Sequence, residues 1–406
     1  MTATPAAGRL LVVDALRGFA LFGVFWANLQ IFAGFDYMTD ENRMSLFHGR
    51  LDTVANLIER FFVENKFMGL FSFLFGISFW LFLSRVSGRE TSATTLFHRR
   101  IFWLFVIGAI HGWLLWCFDI LRFYALWAVL LPLFVRTPPR RLLRLALAAS
   151  VLIPALVEAA AAVVSHNAAI DYDALALAAF SRGSYGEVVK ANWRYDWHLT
   201  LSVGQVSYQF AIFGRLLLGL YVARVLDLEN LRGHRTLLRK VLLTGGLVGV
   251  VGSSIFAGRL LAGDPHDPWL AFCREFLVQG GQLGLTLAYA SAVALAFLGE
   301  RRRRVVSPLA PMGQMALTWY LAQTLFGIWT FYGFPHGPAL MGKVGPARLA
   351  ALAVAGYAVQ VVLARAWMTR FRFGPAEWCW RSLTYGKPQP FRRTVSARAS
   401  VRGGAA

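Results

Sequence analysis

Residues 10–35 read LLVVDALRGFALFGVFWANLQIFAGF, and this stretch decides the fold class. A membrane-spanning helix needs about 20 mostly apolar residues, and the stretch exceeds that length with only two charged side chains, Asp14 and Arg17. The apolar region of a cleaved signal peptide has about 7–15 residues, so the stretch is too long for one. We therefore interpret it as a retained transmembrane helix.

Composition indicates the same environment. The chain has 406 residues, of which 57% are hydrophobic and 15% are charged, and its mean hydropathy is +0.52. A soluble domain would be about half apolar and about a quarter charged. The net charge of +20 comes from short clusters of Lys and Arg between apolar runs, which is typical of membrane topology rather than of nucleic-acid binding. The three cysteines are far apart in the sequence, so they predict neither a disulfide framework nor a zinc site.

Ten apolar segments reach or approach the length of a membrane-spanning helix, so the sequence predicts an all-α, polytopic transmembrane bundle. The predicted spans are Leu10 to Phe35, Lys66 to Leu83, Arg99 to Phe118, Asp119 to Val135, Leu142 to Val164, Ser202 to Leu226, Leu237 to Leu261, Trp269 to Leu298, Pro308 to Tyr332 and Pro346 to Met368. We assign residues 1–370 to the bundle, residues 371–390 to a cytoplasmic C-terminal motif, and residues 391–406 to a basic, disordered tail.

Basic residues concentrate in alternate loops, and this bias predicts the orientation of the chain. The richer set of loops contains Arg99 with Arg100, Arg140 with Arg141, and the run Arg301 to Arg304. The loops on the opposite side are sparser in basic residues. The richer set is therefore predicted to be cytoplasmic, and an even number of spans places both termini on that side.

Asp14 and Arg17 lie one helical turn apart in the first span, at a spacing that lets them pair on one face. Ionisable side chains are expensive to bury in a membrane, so each is a functional candidate. Arg17 could bind a phosphate or carboxylate that enters from the cytoplasm. The alternative is a structural ion pair, with the adjacent Gly18 allowing close helix packing.

His111 lies past the middle of the third span, toward its outer end, between Gly108 and Gly112. A neutral imidazole can act as a general base, and the two glycines would let a substrate or a neighbouring helix approach its ring. Asp119 follows at the turn of a tight hairpin, where it could cap the fourth span or fold back and orient the imidazole. A continuous helix would hold Asp119 about 12 Å from His111 along its axis, so their pairing requires the turn. The alternative for His111 is a packing role.

Arg215 sits inside the sixth span without a carboxylate nearby in the sequence, so its partner must come from across the bundle, with Glu158, Glu275 and Asp119 as candidates. Other polar side chains in the eighth and ninth spans imply a polar interior. They are Gln279, Gln282, Gln314, Thr318, Tyr320 and Gln323. A cavity for a polar substrate would explain them, although hydrogen bonding between helices would require similar residues.

Five strings form an ordered set of motifs. They are RLLVVDALRGFALFGVFWAN at Arg9 to Asn28, KFMGLFSFLFGISF at Lys66 to Phe79, the hairpin Arg99 to Ala125 with His111, Trp116, Asp119, Ile120, Leu121, Tyr124 and Ala125, MALTWYLAQ at Met315 to Gln323, and FGPAEWCWRSLTYGKPQP at Phe373 to Pro390. In this order they resemble the YeiB-like bacterial membrane proteins (domain of unknown function 418). The resemblance covers most of the chain and implies a multi-pass protein of the bacterial cytoplasmic (inner) membrane.

The YeiB-like family is similar to a wider group of transmembrane acyltransferases. This similarity implies transfer of an acyl group from a cytoplasmic donor to a hydroxyl or amine of an outer-face sugar or envelope metabolite, with His111 as catalytic base and Asp119 as its partner. The candidate substrate-binding residues are Asp14, Arg17, Lys66, Arg215, Gln282, Gln314, Tyr320 and Gln323. Acyl-CoA is the expected co-substrate, and we expect no permanently bound cofactor and no metal site.

Two other functions fit the same polar residues. A transporter or flippase for a polar or lipid-linked substrate would also line its bundle with Arg, Gln and Asp, although the internal repeat common in transporters is not evident. A non-catalytic membrane scaffold would need His111, Asp119 and Arg17 for folding alone. The expected partners are membrane lipids and a small-molecule or glycan acceptor, without nucleic acid, and the sequence leaves the oligomeric state open.

Overall fold

The computed structural model describes residues 10–86, 92–163, 171–262, 267–334 and 336–393. The regular structure of these residues is helical, and their one β-type pairing is an antiparallel bridge between Phe371 and Arg392. The prediction of an all-α bundle is therefore confirmed.

The described residues form eighteen α-helices, numbered in chain order. The first part of the chain forms α1 (Leu11–Phe32), α2 (Asp40–Leu46), α3 (Arg50–Ile58), α4 (Lys66–Val86), α5 (Ala93–Leu114), α6 (Leu121–Ala128), α7 (Pro139–Leu147), α8 (Ile153–Ala161) and α9 (Tyr172–Arg182). The second part forms α10 (Tyr185–Leu201), α11 (Val203–Val225), α12 (Arg235–Ala262), α13 (Pro268–Leu298), α14 (Glu300–Val306), α15 (Ala310–Gln314), α16 (Ala316–Phe331), α17 (Pro346–Arg370) and α18 (Pro375–Tyr385). Short 3₁₀ turns occupy Phe35–Tyr37, Leu131–Phe134 and Ser307–Leu309, and π turns occupy Glu59–Val63 and Ala148–Leu152.

Within the described residues, eight helical runs are long and apolar enough to cross a membrane. They are Leu11–Phe32, Arg50–Val86, Ala93–Leu114, Pro139–Ala161, Val203–Val225, Arg235–Gly258, Pro268–Leu298 and Pro346–Arg370. Each of them contains most of one predicted span. One π turn follows α3 and leads to the turn before α4, and the other connects α7 directly to α8. The molecule is thus a polytopic helical membrane protein.

The fourth and ninth predicted spans are interrupted, so the prediction of continuous helices there was wrong. In the fourth, α6 ends at Ala128 and a 3₁₀ turn follows, because Pro132 has no N–H to extend the helix. In the ninth, the chain passes from a 3₁₀ turn through α15 to α16, and Met315 between these two helices has non-helical dihedral angles. The ten predicted spans correspond to eight long helical runs and two interrupted segments in the described part of the chain.

α1 occupies the centre of the bundle, where it packs against α4, α13, α15, α16 and α17. Its approach to α15 is very close because Gly18 and Gly313 have no side chains. A Cβ atom on Gly313 would lie 1.8 Å from the Asp14 carbonyl oxygen, and one on Gly18 would lie 2.2 Å from the Leu309 carbonyl oxygen. The Tyr357 hydroxyl donates to the Gly18 carbonyl at 2.5 Å. Gly18 therefore does allow close helix packing, and it fixes α1 against the interrupted ninth segment.

The predicted C-terminal motif, residues 371–390, contains α18, which packs against α5 and α16. Phe391 follows the motif, and its ring packs at 4.9 Å from Phe371 and 5.4 Å from Trp378. The residues at the start of the predicted tail are thus attached to the motif. Residues 394–406, which make up the rest of that tail, lie outside the described residues.

We expect Gly313→Ala to lower the thermal stability of the purified protein, because the added Cβ would force α1 and α15 apart. Overpacking of this kind costs about 1–3 kcal/mol. Gly280→Ala on α13 is the matched control, since no neighbouring helix among the described residues comes within 4 Å of its Cβ position, and a helical Gly→Ala change there should be neutral or stabilising by about 0.5–1 kcal/mol. Thermal unfolding in detergent measures both, and equal unfolding temperatures for the two variants would contradict the packing analysis.

Candidate active site

His111 and Asp119 form a buried hydrogen-bonded pair at the turn between α5 and α6. His111 Nδ1 lies 2.8 Å from Asp119 Oδ1, and the side chains are only 1% and 0% exposed. The chain reverses because the N–H groups of Leu115 and Trp116 both donate to the His111 carbonyl, which ends α5. Asp119 Oδ2 then accepts the backbone N–H of Arg122 at 2.9 Å. The carboxylate therefore performs both of the functions considered from the sequence, since it orients the imidazole and caps α6.

Gly108 and Gly112 make room for this turn. A Cβ atom on Gly108 would lie 2.8 Å from Asp119 Oδ2 and 2.6 Å from the Arg122 backbone nitrogen, and one on Gly112 would lie 3.2 Å from Asp119 Cβ. The space beside the imidazole is thus filled by the chain's own hairpin. The sequence had left this space open to a substrate or to a neighbouring helix.

α16 supplies the other contacts of His111. His111 Nε2 lies 3.0 Å from the Thr324 hydroxyl oxygen, and the Tyr320 ring lies 5.1 Å from the imidazole, between centroids. The Tyr320 hydroxyl accepts the Ile120 N–H at 3.3 Å and lies 3.5 Å from Asp119 Oδ1. The sequence identified Tyr320 but missed Thr324. Thr324 follows Tyr320 by four residues, and this spacing, which places both side chains on one face of a helix, was the signal that could have identified Thr324.

An ion pair with α10 holds the hairpin in place. The Arg122 guanidinium donates to both carboxylate oxygens of Asp196, one of them at 2.5 Å, and both side chains are largely buried. Trp113 Nε1 also donates to Asp196 at 3.1 Å, and Asn192 Oδ1 accepts the Cys117 N–H at 3.3 Å. Sequence reasoning missed Asp196 because 74 positions separate it from Arg122.

A cavity of about 430 Å³ leads toward this cluster. Its lining extends from Leu10, just before α1, to Val24 on α1 and from Phe71 to Val86 on α4. At 1.5 Å per residue, each stretch is about 20 Å long. Because α1 has 22 residues and is therefore about 33 Å long, the lining extends past the middle of this helix.

The two parts of the cavity differ in chemistry. The part beside α18 is rich in arginine, namely Arg17, Arg85, Arg100 and Arg381. Two carboxylates, Asp14 and Glu377, also line it, and Asp14 pairs with Arg17 at 2.9 Å as the spacing predicted. The wall along α4 is aromatic and consists of Phe71, Phe75, Phe79 and Phe82. Such a cavity suits an amphiphilic anion, because guanidinium groups bind phosphate or carboxylate and the rings pack against an apolar chain.

Tyr320 separates the cavity from the imidazole. Tyr320 and Ile120 line the inner end of the cavity, whereas His111 and Asp119 do not belong to its lining. The Tyr320 ring packs on the imidazole at 5.1 Å between centroids, so this side chain contacts both the cavity and His111. Gln314 also lines the cavity.

Arg215 belongs to a second polar group in the bundle. It is completely buried, and its Nη2 donates to the amide oxygens of Gln279 and Gln282 at 3.3 and 3.2 Å. Gln279 in turn donates to Glu275 at 2.8 Å. The expected direct carboxylate partner was therefore wrong, since amide groups stand between the guanidinium and Glu275.

The predicted binding residues thus do not form one site. Asp14, Arg17, Gln314 and Tyr320 line the cavity, whereas Lys66, Arg215, Gln282 and Gln323 lie outside its lining. The physical reason is that the side chains of the second set form their hydrogen bonds at other contacts. Lys66 Nζ donates to the Arg60 carbonyl at 2.5 Å, and Gln323 donates to Gln360 on α17 at 2.8 Å. Among the described residues, no three His, Cys, Asp or Glu side chains come together as a metal site would require.

Glu377 on α18 caps the start of α16. Its Oε1 accepts the backbone N–H groups of Leu317 and Thr318 at 2.7 and 3.2 Å, and its Oε2 accepts the Thr318 hydroxyl at 2.6 Å. These N–H groups would otherwise lack partners at the helix start. Burial raises the pKa of the Glu377 carboxyl above its ordinary value of 4.5, although the hydrogen bonds from Thr318 and Leu317 oppose this shift. The C-terminal motif therefore supports the helix that carries Tyr320 and Thr324.

The eight apolar runs and the buried polar pair define an integral membrane protein with a candidate site in its interior. Residues 222–387 match the family described as "Protein of unknown function (DUF418)". The uncharacterized protein YxaH of Bacillus subtilis (strain 168) is 29% identical over 402 residues, which cover 95% of this chain and 96% of YxaH. The uncharacterized protein YeiB of Escherichia coli (strain K12) is 25% identical over 403 residues, which cover 93% of this chain and 96% of YeiB.

An uncharacterized 39.9 kDa protein encoded in the amylase 3' region of Bacillus acidopullulyticus is 28% identical over 388 residues, which cover 94% of this chain and 95% of that protein. No solved structure matches the chain. The match of residues 222–387 to DUF418 and the similarity to YxaH and YeiB along most of the chain support the resemblance to YeiB-like proteins that the motifs predicted.

We expect Glu377→Gln to change how stability depends on pH. A carboxyl group whose folded pKa is raised stabilises the fold fully below its unfolded pKa, near 4.5, and loses that contribution as the pH rises through the folded pKa. The wild type should therefore lose stability relative to Glu377→Gln as the pH rises above 4.5 and through the raised pKa of the folded protein. Thermal unfolding of both proteins across this range measures the difference. A wild type that gains stability relative to the variant as the pH rises would contradict the raised pKa of Glu377.

Proposed function

We propose that this protein is a membrane-bound acyltransferase that takes an acyl group from an acyl-CoA-like donor at the cytoplasmic face and passes it to a hydroxyl or amine of an outer-face sugar or envelope metabolite. The observation that carries the proposal is the His111–Asp119 pair, which lies behind the inner end of a cavity whose other end is rich in arginine. The proposal includes a bacterial inner-membrane location with both termini in the cytoplasm.

The cavity supports the donor side of the proposal. An acyl-CoA combines phosphate groups with an apolar chain, and the cavity combines four arginines with an aromatic wall on α4. Arg381 and Arg100 stack on the rings of Phe373 and Trp380, at 4.6 and 3.8 Å from the ring centroids. Guanidinium groups held in this way are oriented for charge-assisted hydrogen bonds with phosphate.

The His111–Asp119 geometry supports general-base catalysis. A carboxylate at Nδ1 fixes the tautomer in which Nδ1 carries the proton, and Nε2 is then able to accept one from an acceptor hydroxyl or amine. Asp119 also stabilises the imidazolium that forms. Because His111 lies in the last turn of α5, at the predicted outer end, the acceptor would approach from the outer side. Rotation of Tyr320 would bring the donor's acyl carbon to the imidazole.

A transporter is the second candidate. Many transporters bind their substrates where helices are interrupted. The two interrupted segments of this bundle meet at the His111–Asp119 pair, because Asp119 begins the predicted fourth span and Tyr320 of the ninth contacts both His111 and Asp119. A transporter would move its substrate across liposome membranes without covalent change. A scaffold would do neither, and its His111 and Asp119 variants would lose only stability.

We expect His111→Ala to lower acyl-CoA turnover by about 10²–10⁴-fold, which is the usual value of general-base catalysis. Purified protein would be assayed with acetyl-CoA and palmitoyl-CoA, with release of free CoA as the readout and a mixture of sugars as acceptors. His98→Ala is the matched control, because His98 is an exposed histidine on the same helix. Unchanged turnover in His111→Ala would exclude His111 as the base, and uptake without CoA release would favour the transporter.

We expect Arg381→Gln to raise the KM for acyl-CoA by about 10–100-fold with a smaller effect on kcat, because a hydrogen bond to a charged group contributes about 1.5–3 kcal/mol. Arg302→Gln on α14 is the control, since this arginine is exposed and lies outside the cavity lining. Steady-state kinetics at several acyl-CoA concentrations separate the two parameters. The same KM in both variants would show that the cationic end does not hold the donor.

A further inference from the structure

We infer that Thr324 is the nucleophile of a Thr324–His111–Asp119 triad and that it carries the acyl group as a covalent ester between donor and acceptor. This inference rests on the proposed function and deepens it, because it replaces direct transfer by two successive transfers. It assigns a catalytic residue on α16 that sequence reasoning missed. The general signature of such a nucleophile is a hydroxyl within hydrogen-bond reach of a base that a third group orients.

The hydrogen-bond pattern places the hydroxyl proton toward the imidazole. Asp119 Oδ1, 2.8 Å from His111 Nδ1, requires a proton on that nitrogen, which leaves the Nε2 lone pair facing Thr324 Oγ1 at 3.0 Å in the neutral ring. Thr324 has one hydroxyl proton and a second acceptor within reach, the Tyr320 carbonyl, at the longer distance of 3.3 Å. The shorter contact is the one to the base. Thr324 is 1% exposed, so water does not compete for this proton.

The chemistry balances without any further reactant. Thr324 Oγ1 attacks the thioester carbonyl carbon of the donor while its proton passes to His111 Nε2. The carbon–sulfur bond then breaks, and the thiolate leaves with that proton as a thiol. In the second half, the acceptor hydroxyl or amine attacks the threonyl ester and gives its proton to Nε2. The Oγ1–carbon bond breaks, and Thr324 takes the proton back.

The cavity ends one helical turn from the proposed nucleophile. Tyr320 lines the inner end of the cavity, and Thr324 follows four residues later on the same face of α16, which is about 6 Å along the helix axis. The acyl carbon of a donor seated in the cavity therefore needs only the displacement of the Tyr320 ring to reach Oγ1. Glu377 fixes the start of the same helix, so the backbone can remain in place during that movement.

The test uses p-nitrophenyl acetate as an activated ester, with the full-length protein in detergent and no acceptor present. We expect a burst of about one p-nitrophenolate per chain, and quenching in acid followed by peptide mass spectrometry should locate an acetyl group on Thr324. Thr324→Ser should keep the burst, whereas Thr324→Val and His111→Ala should reduce it at least tenfold. Thr330→Val is the matched control, because Thr330 is a buried threonine on the same helix whose hydroxyl has no hydrogen-bond partner in the part of the chain that the structure describes, and it should keep the burst.

The outcomes separate this inference from the proposed function. Acyl-CoA turnover without an acetyl group on Thr324 and without a burst would overturn the triad and leave direct transfer by His111. A burst located on Thr324 without acyl-CoA turnover would support the triad and overturn acyl-CoA as the donor. A full burst in Thr324→Val would overturn the assignment of the nucleophile. Circular dichroism of each variant excludes unfolding as the cause of a lost burst.

Discussion

The hydrogen bond between His111 and Asp119 depends on a chain reversal inside the bundle. The surrounding residues stabilise that reversal by hydrogen bonding to its polar groups. Irregular backbone at membrane depth is tolerated only where the protein satisfies its polar groups. In this hairpin the His111 carbonyl accepts two N–H groups, and Asp119 accepts a third at the start of α6. α10 contributes Asn192 and Asp196, which bind the Cys117 N–H and the Arg122 guanidinium. An imidazole and a carboxylate can therefore share a site with almost no solvent contact.

The sequence was most informative where a pattern is local. The apolar lengths predicted the eight long helical runs, and the i, i+3 spacing predicted the Asp14–Arg17 pair. The hairpin between His111 and Asp119 was also accessible, because the two residues are only eight positions apart and a turn lies between them. In each case a single helix or turn determines which side chains meet.

Contacts between segments that are far apart in the chain could not be predicted from one sequence. Thr324 lies 213 positions from His111, and Glu377 lies 60 positions from Leu317. Nothing in the residues themselves specifies that α16 packs against α5 or that α18 returns to the start of α16. The same limitation explains why Lys66 and Arg215 were grouped with Arg17. All three are cations in apolar segments, and only the packing of the helices assigns them to different places.

The cap that Glu377 places on α16 has a consequence for the order in which the protein is made. The ribosome synthesises the N-terminal end of α16 about 60 residues before the side chain that satisfies it. Until α18 emerges, the first turn of α16 has N–H groups that must be shared with water or lipid head groups. The helix that carries Tyr320 and Thr324 thus reaches its final form late in biogenesis, when the last helix of the described chain closes against the bundle that is already inserted.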